Sequence, residues 1–256
     1  MDPLVDETWL AGELGRGLWQ QIETIAETGS TNAVLGARAR AGEASGQVLV
    51  SDYQSQGRGR FTRVWEAPPG KSVAISVLLR PPSVEPQRWL WLPLVAGLAV
   101  ADGLRAATGV DARLKWPNDV LIEGRKVCGI LAERVEGTPP AVVIGMGINT
   151  LLSSEELPVP TATSLALAGA EVVPGEMVRE VLRALERWYL TWATGDDLRE
   201  AYGARCDTVG RPVRVVISDT ESVEGQATGV DTDGRLLVRV GDQLRAFSAG
   251  DVWHLR

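Results

Sequence analysis

Residues 54–65 read Gln54-Ser55-Gln56-Gly57-Arg58-Gly59-Arg60-Phe61-Thr62-Arg63-Val64-Trp65. A strand-like segment, Gln47 to Asp52, precedes this run, and another, Ser72 to Leu79, follows it. Glycine has no Cβ, so the main chain can turn sharply and approach a ligand closely. Arginine offers a forked, permanent cation that matches phosphate or carboxylate. A loop built this way can close over an anion. It also fits a plainer reading as a solvated hairpin loop, and the loop alone does not choose between the two.

The chain has 256 residues, enough for one large domain or a large and a small one. Hydrophobic residues make 45% and charged residues 23%, the balance of an ordinary globular protein. A net charge of −7 argues against general affinity for nucleic acid, so the arginines are a local feature of an acidic protein. Cys128 and Cys206 have neither metal-ligand spacing nor a disulfide pattern, and read as small buried side chains in a reducing compartment. The first residues lack a signal pattern, and the longest apolar run, Trp89 to Val100, reads as too short to span a bilayer. The expectation is a cytoplasmic protein without a membrane. Nine tryptophans stand against two phenylalanines, an excess for which the sequence offers no physical account.

Working outward, Trp9 to Trp19 reads as a short helix broken by Gly12, Gly15 and Gly17. Gln20 to Thr28 reads as a strand, followed by Gly29-Ser30-Thr31-Asn32 and a helix to about Ala41. Ser30 or Thr31 can be a plain N-cap, or the three polar side chains can bind a compact polar ligand at the helix start. Pro81, Pro82 and Pro86 mark a connection to a long, largely buried helix, Gln87 to Ala107. Arg113 to Asp119 is a strand ending in a tight turn at Pro117. Val120 to Ile122 and Lys126 to Val135 form a hairpin, and Ala141 to Ile148 is a buried strand. Ser164 to Gly169, Glu176 to Trp192 and Asp196 to Arg205 read as helices. Beyond Thr208 come short strands, Val213 to Ile217, Val223 to Val230, Leu236 to Val240 and Leu244 to Phe247, with a hairpin signal at Asp233-Gly234. They suggest a small β-barrel.

Gly145-Met146-Gly147 is a weak dinucleotide signal because no helix follows it, and no glycine loop carries a Walker lysine. His254 is the single histidine, far in sequence from every other motif, so histidine-based nucleophilic catalysis and a histidine base are not expected. No histidine or cysteine cluster proposes zinc. What remains is a set of polar turns at strand ends: residues 30–32, 54–63, 115–119 and 126–129. Lys126 can be a solvated strand end or can neutralise a carboxylate or a developing phosphoryl charge. Asn118 and Asp119 can cap a turn or help hold Mg²⁺.

Ser30-Thr31-Asn32, Gly57-Arg58-Gly59-Arg60, Lys115-Trp116-Pro117-Asn118-Asp119, Lys126-x-x-Gly129 and Gly145-x-Gly147-Ile148-Asn149 occur in the order and spacing of biotin protein ligases. The chain resembles that family over about residues 20–150, in its short, monofunctional form without an N-terminal DNA-binding domain. The resemblance implies an α/β (α+β) fold. A mixed sheet with flanking helices, related to class II aminoacyl-tRNA synthetases, would span residues 1–207, and an SH3-like barrel residues 208–256. It implies biotin and ATP as substrates, with Mg²⁺, forming biotinyl-5′-AMP and pyrophosphate. The biotin would then pass to one lysine of a biotin carboxyl carrier domain. The protein would be a monomer or weak homodimer that binds no DNA.

By the same resemblance, Ser30, Thr31, Asn32, Gln54, Arg58, Gly59, Arg60, Lys126 and Gly129 would bind biotin. Arg58, Arg60, Arg63, Trp65, Asn118 and Asn149 would bind ATP and the adenylate. Lys126, Arg58 and Arg60 would be catalytic. Apart from the resemblance, with no histidine near the motifs, either Asp119 acts as base for the transfer step or simple desolvation and positioning of the incoming lysine suffices. Val48, Val50 and Ile130 are candidates for lining the biotin pocket. The loop would be mobile without ligand and order around the adenylate. Two departures from the family pattern stand out: Phe61-Thr62 replaces a basic residue and glycine, which stiffens the loop, and Gly29 stands where aspartate is common. Lipoate ligases and octanoyl transferases share the scaffold and a lysine, but the two arginine- and lysine-bearing motifs favour biotin. A biotin-sensing repressor would need a DNA-binding segment, and a plain α/β binding protein would make every turn structural.

Overall fold

The computed structural model describes residues 2–15, 17–81, 85–218 and 220–255. Pro82, part of the predicted connection, lies outside the described residues.

Seven strands form the main sheet in the order β1-β2-β3-β7-β6-β5-β4. They are β1 (Gln21–Ile25), β2 (Gln47–Ser51), β3 (Ser72–Leu79), β4 (Ala112–Lys115), β5 (Asp119–Ile122), β6 (Arg125–Val135) and β7 (Ala141–Asn149). Strands β1 and β2 are parallel because α2 (Thr31–Arg40) crosses between them; every other neighbour is antiparallel. Period-two alternation sorts the side chains onto two faces. Val73, Ile75, Val77 and Leu79 of β3, with Val142, Ile144, Met146 and Ile148 of β7, enter the main core. The other face is small or polar in the middle of the sheet, where Ala74, Ser76, Gly145, Gly147 and Gly129 stand in register. At one end of that face a smaller apolar cluster, including Leu35, Leu49, Leu78 and Val143, packs α2 onto the sheet.

The main core lies between the sheet and two helices, α3 (Leu92–Thr108) and α4 (Pro174–Ala193). Helix α4 buries Val178, Val181, Leu182, Leu185, Tyr189 and Trp192, an apolar stripe at helical spacing. Gly103 lets α3 approach α4 closely, since a Cβ there would lie 2.6 Å from the backbone of Val181. The apolar run read as too short for a bilayer belongs to a longer helical stretch, Gln87–Thr108, that does reach membrane-spanning length and hydropathy. Of its most apolar 18-residue window, 67% is buried inside the protein. A 3-10 turn, Pro86–Trp91, adds the extra length at its start.

Other expectations shift at their boundaries. The first helix, α1 (Glu7–Leu14), starts at an Asp6 cap and stops at Gly15. Leu165 to Gly169 forms hydrogen-bonded turns rather than a helix, closed by Gly169 at φ +76°. Helix α5 is only Arg199–Gly203.

The C-terminal sheet has the order β11-β10-β9-β8-β12. It contains β8 (Pro212–Val216), β9 (Ser222–Val230), β10 (Leu236–Val240), β11 (Gln243–Phe247) and β12 (Asp251–His254). Strand β12 was not anticipated; it pairs antiparallel with β8. The tryptophan excess now has an account. Trp91 and Trp116 are buried under the β9–β10 turn and donate their indole N–H groups to the carbonyls of Thr232 and Gly234, at 2.8 and 3.1 Å. Trp19 and Trp192 likewise donate to the carbonyls of Leu182 and Arg88. Each joins a large apolar body to a carbonyl on a distant element, so burial and a hydrogen bond act together.

Replacing Gly103 by Val forces α3 away from α4. The unfolding free energy should fall by about 1–3 kcal/mol, read as a lower urea midpoint at unchanged slope.

Candidate active site

A cavity of about 880 Å³ opens on the small-residue face of the main sheet. Its floor follows from strand register. Gly129 pairs with Gly147 and with Asp119, and Gly147 pairs with Ala74, so one row across four strands lacks large side chains. The Trp65 ring rests on this row: a Cβ on Gly147 would come within 2.5 Å of it, and one on Gly129 within 3.0 Å. Among the described residues, the Trp65 indole N–H is buried without a partner.

One wall is the start of α2. Ser30 caps the helix, accepting from the Ala33 N–H at 3.4 Å. Gln54 Oε1 accepts from both the N–H and the hydroxyl of Thr31, at 2.8 and 3.0 Å. The Ser76 hydroxyl lies 2.7 Å from Thr31 Oγ1 and 2.6 Å from Asn32 Oδ1. The Asn32 amide donates to Leu131 O and to Glu133 Oε2. The cap reading of this turn is met. Ser30, Thr31, Asn32 and Gln54 all line the cavity.

The 57–65 loop folds over the mouth. Its own hydrogen bonds, Gly59 N–H to Arg63 O and Trp65 N–H to Gly57 O, close it on itself. Arg58 pairs with Glu133 at 3.0 Å. Arg60 donates to Asn118 Oδ1 at 3.1 Å and to Gly250 O, and Arg63 pairs with Asp251. Phe61, the departure from the family pattern, sits at positive φ with the Arg60 and Arg63 guanidinium groups 5.0 and 6.0 Å from its ring centre. The largely exposed ring thus has both cations within cation–π range.

The third wall is the turn after β4. Asn118 donates to Ile130 O while its own carbonyl accepts the Ile130 N–H, fixing β5 beside β6. Lys126 Nζ lies 2.6 Å from Asp119 Oδ1. Lys115 also lines the cavity; burial chiefly lowers its pKa, with the charges of Lys126 and Arg63 adding to burial and Asp119 opposing them. Burial first, then Arg63, likewise disfavours the Arg60 charge. Five cations line the cavity, Arg58, Arg60, Arg63, Lys115 and Lys126, against two carboxylates, Asp119 and Asp251. In a chain of net charge −7 this is a local positive field suited to an anion.

Every residue assigned from sequence lines this cavity except Asn149, whose amide donates to Thr163 O at 2.9 Å in a buried position beside it. Ile130 lines it, but Val48 and Val50 point to the opposite face and belong to the main core. Asn118 Oδ1 accepts from Arg60 and Asp119 Oδ1 pairs with Lys126, so both side chains considered for Mg²⁺ have cationic neighbours. Among the described residues, no group of three or more His, Cys, Asp or Glu is poised for a metal.

Sequence separation hid four contributors. Glu133 looked like an ordinary strand residue. Gly250, Asp251 and His254 arrive on or beside β12, so the lone histidine does border the site. Its Nε2 lies 3.0 Å from Thr208 Oγ1, and its pKa is lowered to about 4 by burial, then by Lys115 and Arg211. A group so weakly basic is a poor proton acceptor at neutral pH, so a histidine base remains unfavoured.

Cations in excess over a glycine floor define a site for a phosphate-bearing or carboxylate ligand. The sequence profile of the Biotin/lipoate A/B protein ligase family matches residues 25–149, and that of the biotin protein ligase C-terminal domain matches residues 208–255. A biotin–acetyl-CoA-carboxylase ligase of Mycobacterium tuberculosis is 41% identical over 99% of this chain and 97% of its own length. A bifunctional ligase/repressor of Bacillus spizizenii is 33% identical over 81% of this chain and 66% of its own. A solved biotin protein ligase from Aquifex aeolicus, in complex with biotin and ATP, matches with a TM-score of 0.79 at 25% identity. It covers 93% of this chain and 100% of that one. The chain belongs to the biotin protein ligase family.

Since the unfolded chain binds a proton at His254 near pH 6.5 and the folded chain only near 4, stability should fall as pH drops through that window. Urea unfolding of His254→Gln should show a shallower loss between pH 6.5 and 4 than the wild type.

Proposed function

We propose that this cavity joins biotin to ATP and then passes the biotin to a lysine of a biotin carboxyl carrier domain in a biotin-dependent carboxylase. The observation that carries the reading is the ring of five cations around a floor of Gly129, Gly147 and Ala74. A carboxylate and a triphosphate repel each other, and the site must neutralise both before they touch. Magnesium would enter as the MgATP substrate.

In the first step a biotin carboxylate oxygen attacks the α-phosphorus. The bond to the bridging oxygen breaks and pyrophosphate leaves with the electron pair. Lys126 suits the carboxylate and α-phosphate, and Arg58, Arg60 and Arg63 suit the outer phosphates and the adenylate. Ser30, Thr31, Asn32 and Gln54, which line the cavity at the start of α2, suit the polar ureido ring. The Trp65 indole, with its unpartnered N–H, suits the nucleotide side.

In the second step the carrier amine attacks the acyl carbon and AMP leaves. Asp119 holds Lys126 by its ion pair. Once Lys126 turns to the substrate anions, Asp119 is free to accept the amine proton. We further read residues 1–207 as the catalytic unit and 208–256 as a second domain, in a cytoplasmic protein that is a monomer or weak dimer and binds neither DNA nor membrane. The acidic net charge supports the absence of DNA binding.

Pyrophosphate release from MgATP should depend on biotin and not on lipoate or octanoate, and added carrier domain should gain one biotin mass. Release driven by lipoate instead would overturn the reading. Lys126→Ala should slow pyrophosphate release by about 100-fold or more; near-normal release removes Lys126 from the first step. Asp119→Ala should form adenylate yet transfer it at least about tenfold more slowly; full-rate transfer excludes the base role.

A further inference from the structure

The cavity wall includes Asp251 to His254, residues of the C-terminal sheet that no sequence motif had marked. Their contacts fall on the loop arginines. Arg60 directs both terminal nitrogens at Gly250 O, at 3.3 Å each. One oxygen of Asp251 lies 3.9 Å from Arg60 and the other pairs with Arg63, so a single carboxylate joins the two guanidinium groups. The Gly250 carbonyl is aimed by its backbone. That residue has φ +140°, and a Cβ there would lie 3.0 Å from both Val215 Cγ1 and Val216 O.

We propose that Asp251, with the Gly250 carbonyl, is the dock by which the C-terminal sheet holds the 57–65 loop over the cavity, and so is a positioning residue for the nucleotide step. The functional half of this rests on the assignment of Arg60 and Arg63 to the nucleotide. The physical need is plain. Arg60 is only 19% exposed and Arg63 stands near it, so without an anion these like charges repel and the loop opens. An isolated surface ion pair contributes little, but one carboxylate shared by two arginines, half-buried beside a fixed carbonyl, forms a network. The loop's internal hydrogen bonds close it on itself, whereas the dock fixes where the closed loop sits.

Hydrogen exchange on the full chain reads this directly, because the Gly59, Arg63 and Trp65 amides are hydrogen-bonded in the closed loop. Asp251→Asn, which keeps shape and removes charge, should speed exchange across residues 57–65 by about fivefold, leaving β8 and β9 unchanged. The Michaelis constant for MgATP should rise about fivefold, with kcat changed less than about twofold. Asp251→Glu, which keeps the carboxylate, should retain slow loop exchange. Unchanged loop exchange in Asp251→Asn overturns the proposal. So does equal loosening of β8 and β9, since Asp251 would then brace its own sheet and not the loop. Faster loop exchange with an unchanged constant for MgATP upholds the dock and removes Arg60 and Arg63 from nucleotide binding.

Discussion

Charge repulsion between two anions is the constraint around which this molecule is arranged. The chain is acidic overall, yet it gathers five cations at one cavity. Gathered cations repel one another as well, and the fold answers with a carboxylate or carbonyl for each loop arginine and for Lys126. Glu133 meets Arg58, Asp119 meets Lys126, and Asp251 meets Arg60 and Arg63. These partners lie on β5, β6 and β12, so the loop is tied to both sheets. An incoming phosphate or carboxylate then exchanges one anionic partner for another, which costs less than ordering a bare cluster of cations.

The sheet supplies the second requirement, space. Alternation along β3, β6 and β7 sends large apolar side chains into the core beneath and leaves glycine, alanine and serine above. The same periodicity that stabilises the domain therefore hollows out the site. Trp65 lies on that floor and Gly129 gives it room beside the Lys126 amine, so the glycines are needed for close approach and not for unusual backbone angles.

Much of this was legible in the residues. Strand β3 was read to its boundaries as an alternating or buried strand, and the polar turns at the ends of β1, β2 and β4 and near the start of β6 were visible as motifs. Local signals reached no further than local structure. Ser164 to Gly169 lacked the length to sustain a helix and closes as turns. Strand β12, only Asp251–His254, has too few residues for a periodic signal, and its value to the site comes from contacts with residues nearly two hundred positions earlier. Glu133 was hidden for a related reason: its strand reads as core, and only the register with β7 turns that one side chain toward Asn32 and Arg58. Asn149 stands at the end of its strand, past the floor, where its amide donates to Thr163 O.

The proposed function places the adenylate in the cavity against the Trp65 ring, which the glycine row seats. Calorimetric binding of a non-hydrolysable biotinyl-adenylate analogue to Gly147→Val tests it most directly, with hydrogen exchange to confirm the fold. The valine side chain projects into the Trp65 ring and the cavity. The account predicts at least about a hundredfold weaker binding in a chain that remains folded, a change of roughly 2.7 kcal/mol. Wild-type affinity in folded Gly147→Val would contradict it and place the ligand elsewhere.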